Sequence, residues 1–205
     1  MTVTTVEFWF EFASTYSYPA AMRVGELAAK ANARLLWRPF LLGPIFGQQG
    51  WNTSPFNIYE AKGRYMWRDL ERTCEALGIP FRKPTVFPRN GLLAARVACL
   101  NTDESWTPNF VRSVYGANFA DDRDISDSAV IEELLAAAGQ DAKAVIARAQ
   151  TPEAKNRLRE QTERATSLGI FGAPTVLVGG EMFWGNDRLD DAFRWYGERT
   201  KRSSD

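Results

Sequence analysis

Residues 3–12 (VTTVEFWFEF) form a run of β-branched and aromatic side chains, a pattern that predicts a buried strand. Residues 18–32 (YPAAMRVGELAAKAN) switch to helical composition. Pro19 suits the first turn of that helix, where a backbone N–H has no partner in any case, and Ser17 is its expected N-cap. Residues 34–40 (RLLWRPF) return to strand character and end around Pro39. These three pieces make a β-α-β unit, whose crossover should be right-handed onto a parallel strand.

Residues 41–56 carry Gly, Pro and aromatics without a clear period. They are expected to form a long loop, and long loops in compact domains tend to carry function. Helical patterns follow over 58–77, 90–100 (entered through the Pro84/Pro88 stretch), 105–120, 127–138, 141–149 and 151–168. The last of these opens with Thr151 and Pro152, a good cap followed by proline at the first helical position. A turn at 169–174 then leads to strands at 175–178 and 181–184, which flank Gly179-Gly180, a two-residue hairpin signal. Gly185, Asn186 and Asp187 precede a last helix over 188–199, and the polar tail KRSSD is expected to fray. The order is β-α-β, a helical block, then β-β-α. The two ends are expected to share one sheet, with residues 1–50 and 166–205 as one discontinuous domain and 51–165 as an all-helical insertion.

Charge and composition narrow the chemistry. Basic and acidic residues balance at 25 each, so no long-range field exists to hold a phosphate backbone, and nucleic acid is not an expected partner. The chain has no histidine, which removes the usual general base and any Ser-His triad. Its two cysteines, Cys74 and Cys99, lie far apart in helix-like stretches and read as small buried hydrophobes; a zinc site is not expected. No apolar run approaches a membrane span, and the start lacks the basic region of a signal peptide. The expected location is the cytoplasm, with no membrane partner.

Four motifs, in order, then narrow the reading. They are Phe12-Ala13-Ser14-Thr15-Tyr16-Ser17-Tyr18, Arg38-Pro39-Phe40-Leu41-Leu42-Gly43 and Ala61-Lys62-Gly63-Arg64-Tyr65-Met66, then Gly172-Ala173-Pro174-Thr175-Val176 followed by Phe183-Trp184-Gly185-Asn186-Asp187-Arg188-Leu189. With these the chain resembles the 2-hydroxychromene-2-carboxylate isomerases and the kappa-class glutathione transferases, within the DsbA-like branch of thioredoxin folds. The resemblance covers nearly the whole chain. It implies an α/β thioredoxin-like fold with a large helical insertion, a homodimer, glutathione as cofactor and a small aromatic carboxylate as substrate. One departure is Thr15, where the family usually has proline; it should change the stiffness of that turn more than its chemistry.

Redox thioredoxin folds end the first strand at Cys-x-x-C. Here Ser14 and Ser17 occupy that stretch, so dithiol exchange, which needs a protein thiolate, is excluded. What remains is a helix N-terminus with a hydroxyl, an environment that favours a bound thiolate. By resemblance, Ser14 donates a hydrogen bond to the sulfur of glutathione. The resemblance also makes Pro174 the cis-proline of the fold, with the exposed backbone of Ala173 pairing with the cysteinyl unit. Asn186 and Asp187, which also fit plain helix capping, would bind the γ-glutamyl end. Lys62 would meet a glutathione carboxylate, and Asn52 would help hold the peptide. Pro44, Phe46, Trp51, Tyr65, Trp67 and Trp184 are candidates for a flat apolar wall facing an aromatic acid, though core packing explains aromatic residues equally well.

Three functions remain open on the sequence. The first is a glutathione-dependent isomerase of aromatic-hydrocarbon catabolism. The second is a kappa-type transferase conjugating electrophiles. The third is a non-catalytic thioredoxin-like binding module. Glutathione binding separates the third from the others, and the product formed separates the first two.

Overall fold

The computed structural model describes residues 5–202. Four strands form one sheet in the order β2-β1-β3-β4. β1 (Thr5–Phe10) and β2 (Arg34–Pro39) are parallel and joined by α1 (Ser17–Lys30). β3 (Thr175–Val178) runs antiparallel to β1, and β4 (Glu181–Trp184) antiparallel to β3. Gly179 and Gly180 both take positive φ, 58° and 90°, as the two-residue hairpin requires. The expected β-α-β and β-β-α halves therefore meet in one mixed sheet.

Alternation along β1 sends its side chains to two separate interiors. Val6, Phe8 and Phe10 enter the main core, where Phe8 meets Trp37 edge-on at 5.2 Å. Trp9 points the other way and packs with Phe40, Ile45, Ala165, Ile170 and Leu177. A strand covered on both faces needs apolar residues at nearly every position, which is what the sequence supplies. Between β2 and β3 lie α2 (Leu42–Gln48), α3 (Pro55–Ile58), α4 (Glu60–Leu77), α5 (Leu92–Leu100), α6 (Thr107–Phe119), α7 (Ser128–Ala137), α8 (Ala142–Ala149) and α9 (Pro152–Ser167). The apolar faces of α4 to α9 merge with the sheet in a continuous core that runs from Phe8 through Phe110 and Ile131 to Leu158, while Ile45 of α2 joins the Trp9 cluster. Asp127, Asp141 and Thr151 cap α7, α8 and α9 by accepting from the N–H groups of Ala129, Ala144 and Ala154, each worth about 1 kcal/mol. A 3₁₀ turn at Asn186–Arg188 leads into α10 (Leu189–Arg202).

Several expectations change. Residues 41–56 are not one loop, because Leu42–Gln48 is helical. Only Ile45 of that helix is buried, so no periodic apolar stripe was available to reveal it. The helix expected from 58 begins at Glu60, after the separate turn α3. Ser17 is not a cap: it is the first helical residue of α1 and is buried. Its N–H instead reaches the Ser14 hydroxyl oxygen at 3.4 Å. The last helix extends through the start of the polar tail to Arg202, while residues 203–205 of that tail, like residues 3–4 of the first expected strand, lie outside the described residues.

Candidate active site

A cleft of about 1310 Å³ opens where β1 ends and α1 begins. Its walls come from the turn at 11–16, α2 and the segment after it, one face of α4 from Lys62 to Thr73, the stretch 87–92, the turn at 171–173 and the chain from Trp184 to Arg188. Segments distant in sequence thus converge on Ser14.

The Ser14 hydroxyl donates to the Ala173 carbonyl at 2.9 Å. The Ala173–Pro174 peptide is cis, as expected. The Ala173 carbonyl is not an unpaired edge, however, since Ser14 occupies it. The end of β4 is tied to the same turn, because the Gly185 N–H donates to the Pro174 carbonyl at 2.9 Å. Gly185 sits at φ 114°, and a Cβ there would overlap the Asp187 carboxylate, so this bend favours glycine. The bend delivers Asn186, Asp187 and Arg188 to the cleft wall. Their expected capping is absent: the 3₁₀ turn has no side-chain cap, and Asn186 Oδ1 instead accepts from Arg23 Nη1 at 3.4 Å. Asp187 is exposed, with Arg188 Nη2 at 3.5 Å.

Asn52 and Lys62 both line the cleft and are exposed; the Lys62 ammonium lies 4.9 Å from the centre of the Tyr59 ring. Among the aromatic candidates, Phe46, Trp51, Tyr65 and Trp184 line the cleft. Phe46 and Trp51 pack together at 5.7 Å, and Trp184 packs on Phe171 at 5.0 Å. Three candidates fall outside the wall. Pro44 is exposed on α2, where the helix turns it to solvent, and Pro174 is buried. Trp67 packs against Phe81 and Phe87, and of these three only Phe87 lines the cleft. Thr15 is buried, and its hydroxyl donates to the Met66 sulfur on α4 at 3.1 Å, a tie that proline could not make.

The cleft also holds groups that the sequence did not single out. Glu11 lines it, one residue beyond the end of β1, and accepts from the Ala13 N–H at 3.0 Å. Burial pushes its carboxyl up to about 7, although the N–H groups of Ala13 and Ser14 pull the other way. A charged residue inside FWFEF was the available signal. Tyr16 donates to Asp69 at 2.9 Å, and burial together with that carboxylate raises its phenol well above the ordinary range. Arg89 follows a second cis peptide, Phe87–Pro88, and pairs with Asp122. It also donates to both oxygens of Asn118 at 3.2 Å, while the Asn118 amide donates to the Phe12 carbonyl at 3.3 Å. This chain of bonds fixes the 87–92 wall against the end of β1. Cys74 and Cys99 are buried free thiols outside the cleft wall, both pushed up to about 11 by burial.

The mixed sheet, the cis-proline turn and Ser14 in the turn just before α1 define a thioredoxin fold with a hydroxyl-bearing, sulfur-free site. The family model of the DSBA-like thioredoxin domain matches residues 5–194. A 2-hydroxychromene-2-carboxylate isomerase of Pseudomonas putida is 31% identical over 198 residues, covering 90% of each chain. One from Sphingobium xenophagum is 28% identical, covering 91% of this chain and 94% of the relative. Human glutathione S-transferase kappa 1 is 27% identical, covering 95% and 92%. A solved 2-hydroxychromene-2-carboxylate isomerase superimposes with a TM-score of 0.87 at 26% identity over 98% of both chains. The chain belongs to the DSBA-like thioredoxin domain family and, within it, to the 2-hydroxychromene-2-carboxylate isomerase family. Among the described residues, no helix is long and apolar enough to cross a membrane.

Proposed function

We propose that the protein is a glutathione-dependent isomerase of 2-hydroxychromene-2-carboxylate, or of a similar aromatic carboxylate from hydrocarbon breakdown. The observation that carries this reading is the convergence of Ser14, Ala173 and Asp187 in one cleft. Relatives named for this reaction, at 28% and 31% identity, support the reaction type.

The residues present suit glutathione. The cleft exceeds the ~300–1,000 Å³ usual for small-molecule pockets, which leaves room for an aromatic acid beside the tripeptide. Asp187, beside Asn186, matches the γ-glutamyl ammonium group, Lys62 matches a carboxylate, and Asn52 is available to the peptide. The Ala173 backbone matches the cysteinyl unit in the manner of an added strand. When bound, glutathione supplies the thiolate whose reversible addition turns a double bond into a rotatable single bond.

The protein's own part is to hold and polarise. Ser14 turns its O–H from the Ala173 carbonyl toward the sulfur, and the same movement frees that carbonyl for a ligand N–H. A neutral hydrogen bond worth about 1 kcal/mol is exchanged for a charge-assisted one worth about 1.5–3 kcal/mol, so the exchange is favourable. The N-terminus of α1 adds up to about 1 kcal/mol for a negative charge. Phe46, Trp51 and Trp184 orient a flat substrate over the reacting atoms. A homodimer and a cytoplasmic setting belong to the same proposal, and sedimentation of the purified protein checks the first.

The test is to mix protein, reduced glutathione and 2-hydroxychromene-2-carboxylate and to follow trans-o-hydroxybenzylidenepyruvate. Formation above background is expected, and its absence would sink the reading. The likeness to the human kappa transferase favours a second reading, conjugation of electrophiles, which product formation from a chlorodinitrobenzene would reveal. Lack of saturable glutathione binding would leave only a non-catalytic module.

A further inference from the structure

Glu11 is a carboxylate in the cleft wall, fixed in place by its immediate neighbours. Its carboxylate accepts from the Ala13 N–H at 3.0 Å. Its carbonyl accepts from the Ser14 N–H at 3.0 Å and from the Tyr115 hydroxyl at 2.8 Å. The second of these bonds makes Glu11 and Ser14 the two ends of a single tight turn, and the third anchors that turn to α6. The other ionisable groups lining the cleft are Tyr16 just before α1, Lys62, Tyr65 and Asp69 on α4, Arg89 before α5, and Asp187 and Arg188 after β4. Tyr115 on α6 is the ionisable side chain that touches it from behind. No cation forms an ion pair with it among the described residues. A half-buried carboxylate without a cation is costly to keep ionised, so such a group is a candidate for a functional position.

We propose that Glu11 is the proton acceptor of this site, taking up the proton that a thiol gives up as it binds beside Ser14. This rests on the glutathione reading above. The step moves one proton from S–H to the carboxylate, and no other bond changes. With Glu11 and Ser14 on one short turn of the cleft wall, a thiolate at Ser14 and an ionised Glu11 repel, so the pair holds one negative charge and one proton between them rather than two charges. The carboxyl then stands in the cleft with a proton at hand for a substrate oxygen that gains negative charge. Its burial, which already raises its affinity for a proton to near neutrality, suits this role.

The two sides of this exchange can be measured separately. Reduced glutathione is titrated into the protein at pH 8 in two buffers of different ionisation enthalpy, while thiolate formation is followed by its ultraviolet absorbance. Wild type is expected to show bound thiolate with close to zero net proton release, because the proton stays on Glu11. Glu11→Gln is expected to show thiolate with well over half a proton released per glutathione. Equal release by both proteins, or binding without thiolate absorbance, overturns the proposal. If Glu11→Gln does not fold, wild type alone decides: thiolate accompanied by well over half a proton released per glutathione refutes it. Absence of saturable binding in wild type removes the glutathione reading itself, and Glu11's role with it, and so is distinct from a result in which glutathione binds and the proton reaches the buffer.

Discussion

Ser14→Ala removes one hydroxyl and leaves the helix end in place. In the structure that hydroxyl donates to Ala173 at 2.9 Å and accepts from the Ser17 N–H at 3.4 Å. Exchanging the neutral acceptor for a thiolate gains about 1.2 kcal/mol net, the difference between typical neutral and charge-assisted bonds. The start of α1 contributes up to about 1 kcal/mol more. Together these lower a thiol pKa by about 1.6 units, from about 8.5 to about 7. About half of the bound thiol is then ionised at pH 7, against about 3% in free solution. Ser14→Ala keeps only the helix contribution, which leaves the pKa near about 7.8. The thiolate fraction should fall about fourfold at pH 7 and about eightfold well below it, and the two proteins should converge near pH 9. Ultraviolet titration of the bound thiol gives the pKa directly, and initial isomerisation rates across the same range give the ratio. A thiol pKa unmoved by the substitution, or rate profiles that stay a constant factor apart at all pH values, would refute the assignment of Ser14 as thiolate donor.

Glu11→Gln should stabilise the fold above neutrality. The folded-state pKa of about 7 lies above the ordinary 4.5, so wild type loses stability as pH rises between these values and is unpenalised below them. The gain in the variant should therefore be absent at pH 4 and reach at most about 3 kcal/mol by pH 8, read from denaturant melts at the two pH values. Equal gains at both would show that ionisation is not the cause. Gly63→Ala should displace the 54–58 segment, because a Cβ there would overlap the Phe56 carbonyl oxygen. The expected result is a raised KM for glutathione and faster proteolysis near Phe56, and an unchanged KM would count against that segment's part in the cleft. Cys74 and Cys99, buried and pushed up to about 11, should resist a thiol reagent at pH 8 in the native protein and react fully once it is unfolded. Rapid labelling of the native protein would contradict their burial.

Local signals carried much of the fold. β1, the Gly179-Gly180 hairpin and the Thr151-Pro152 start of α9 are each written in a few adjacent residues, and each stands where expected. α2 escaped because one buried side chain, Ile45, sets no period. Ser17 was misplaced by one helical position because cap preference alone does not fix where a helix begins. In the cleft, the motifs gathered most of the candidate residues, since they mark turns that the fold brings together. The bond from Ser14 to Ala173 was not legible, because it joins positions 159 apart. Glu11 was hidden in the opposite way. Its side chain sits in an apolar run, and only the packed structure shows that the residue lines the cleft and that burial raises its carboxyl. The Arg89–Asn118–Phe12 chain is likewise a product of packing, with no local pattern to announce it.

The bond between Ser14 and Ala173 has a bearing on selectivity among thiols. A guest that opens it must answer both halves. A simple alkyl thiol offers an anion to the hydroxyl but nothing to the carbonyl. An abandoned carbonyl in a partly buried cleft costs about 1–3 kcal/mol. A cysteinyl peptide offers its sulfur to one half and an amide N–H to the other. The closed pair therefore acts as a two-key lock, and it should favour peptide thiols over small ones by roughly ten- to hundredfold in affinity. That preference needs no contact with the ends of the peptide, and it should persist when Lys62 or Asp187 is replaced.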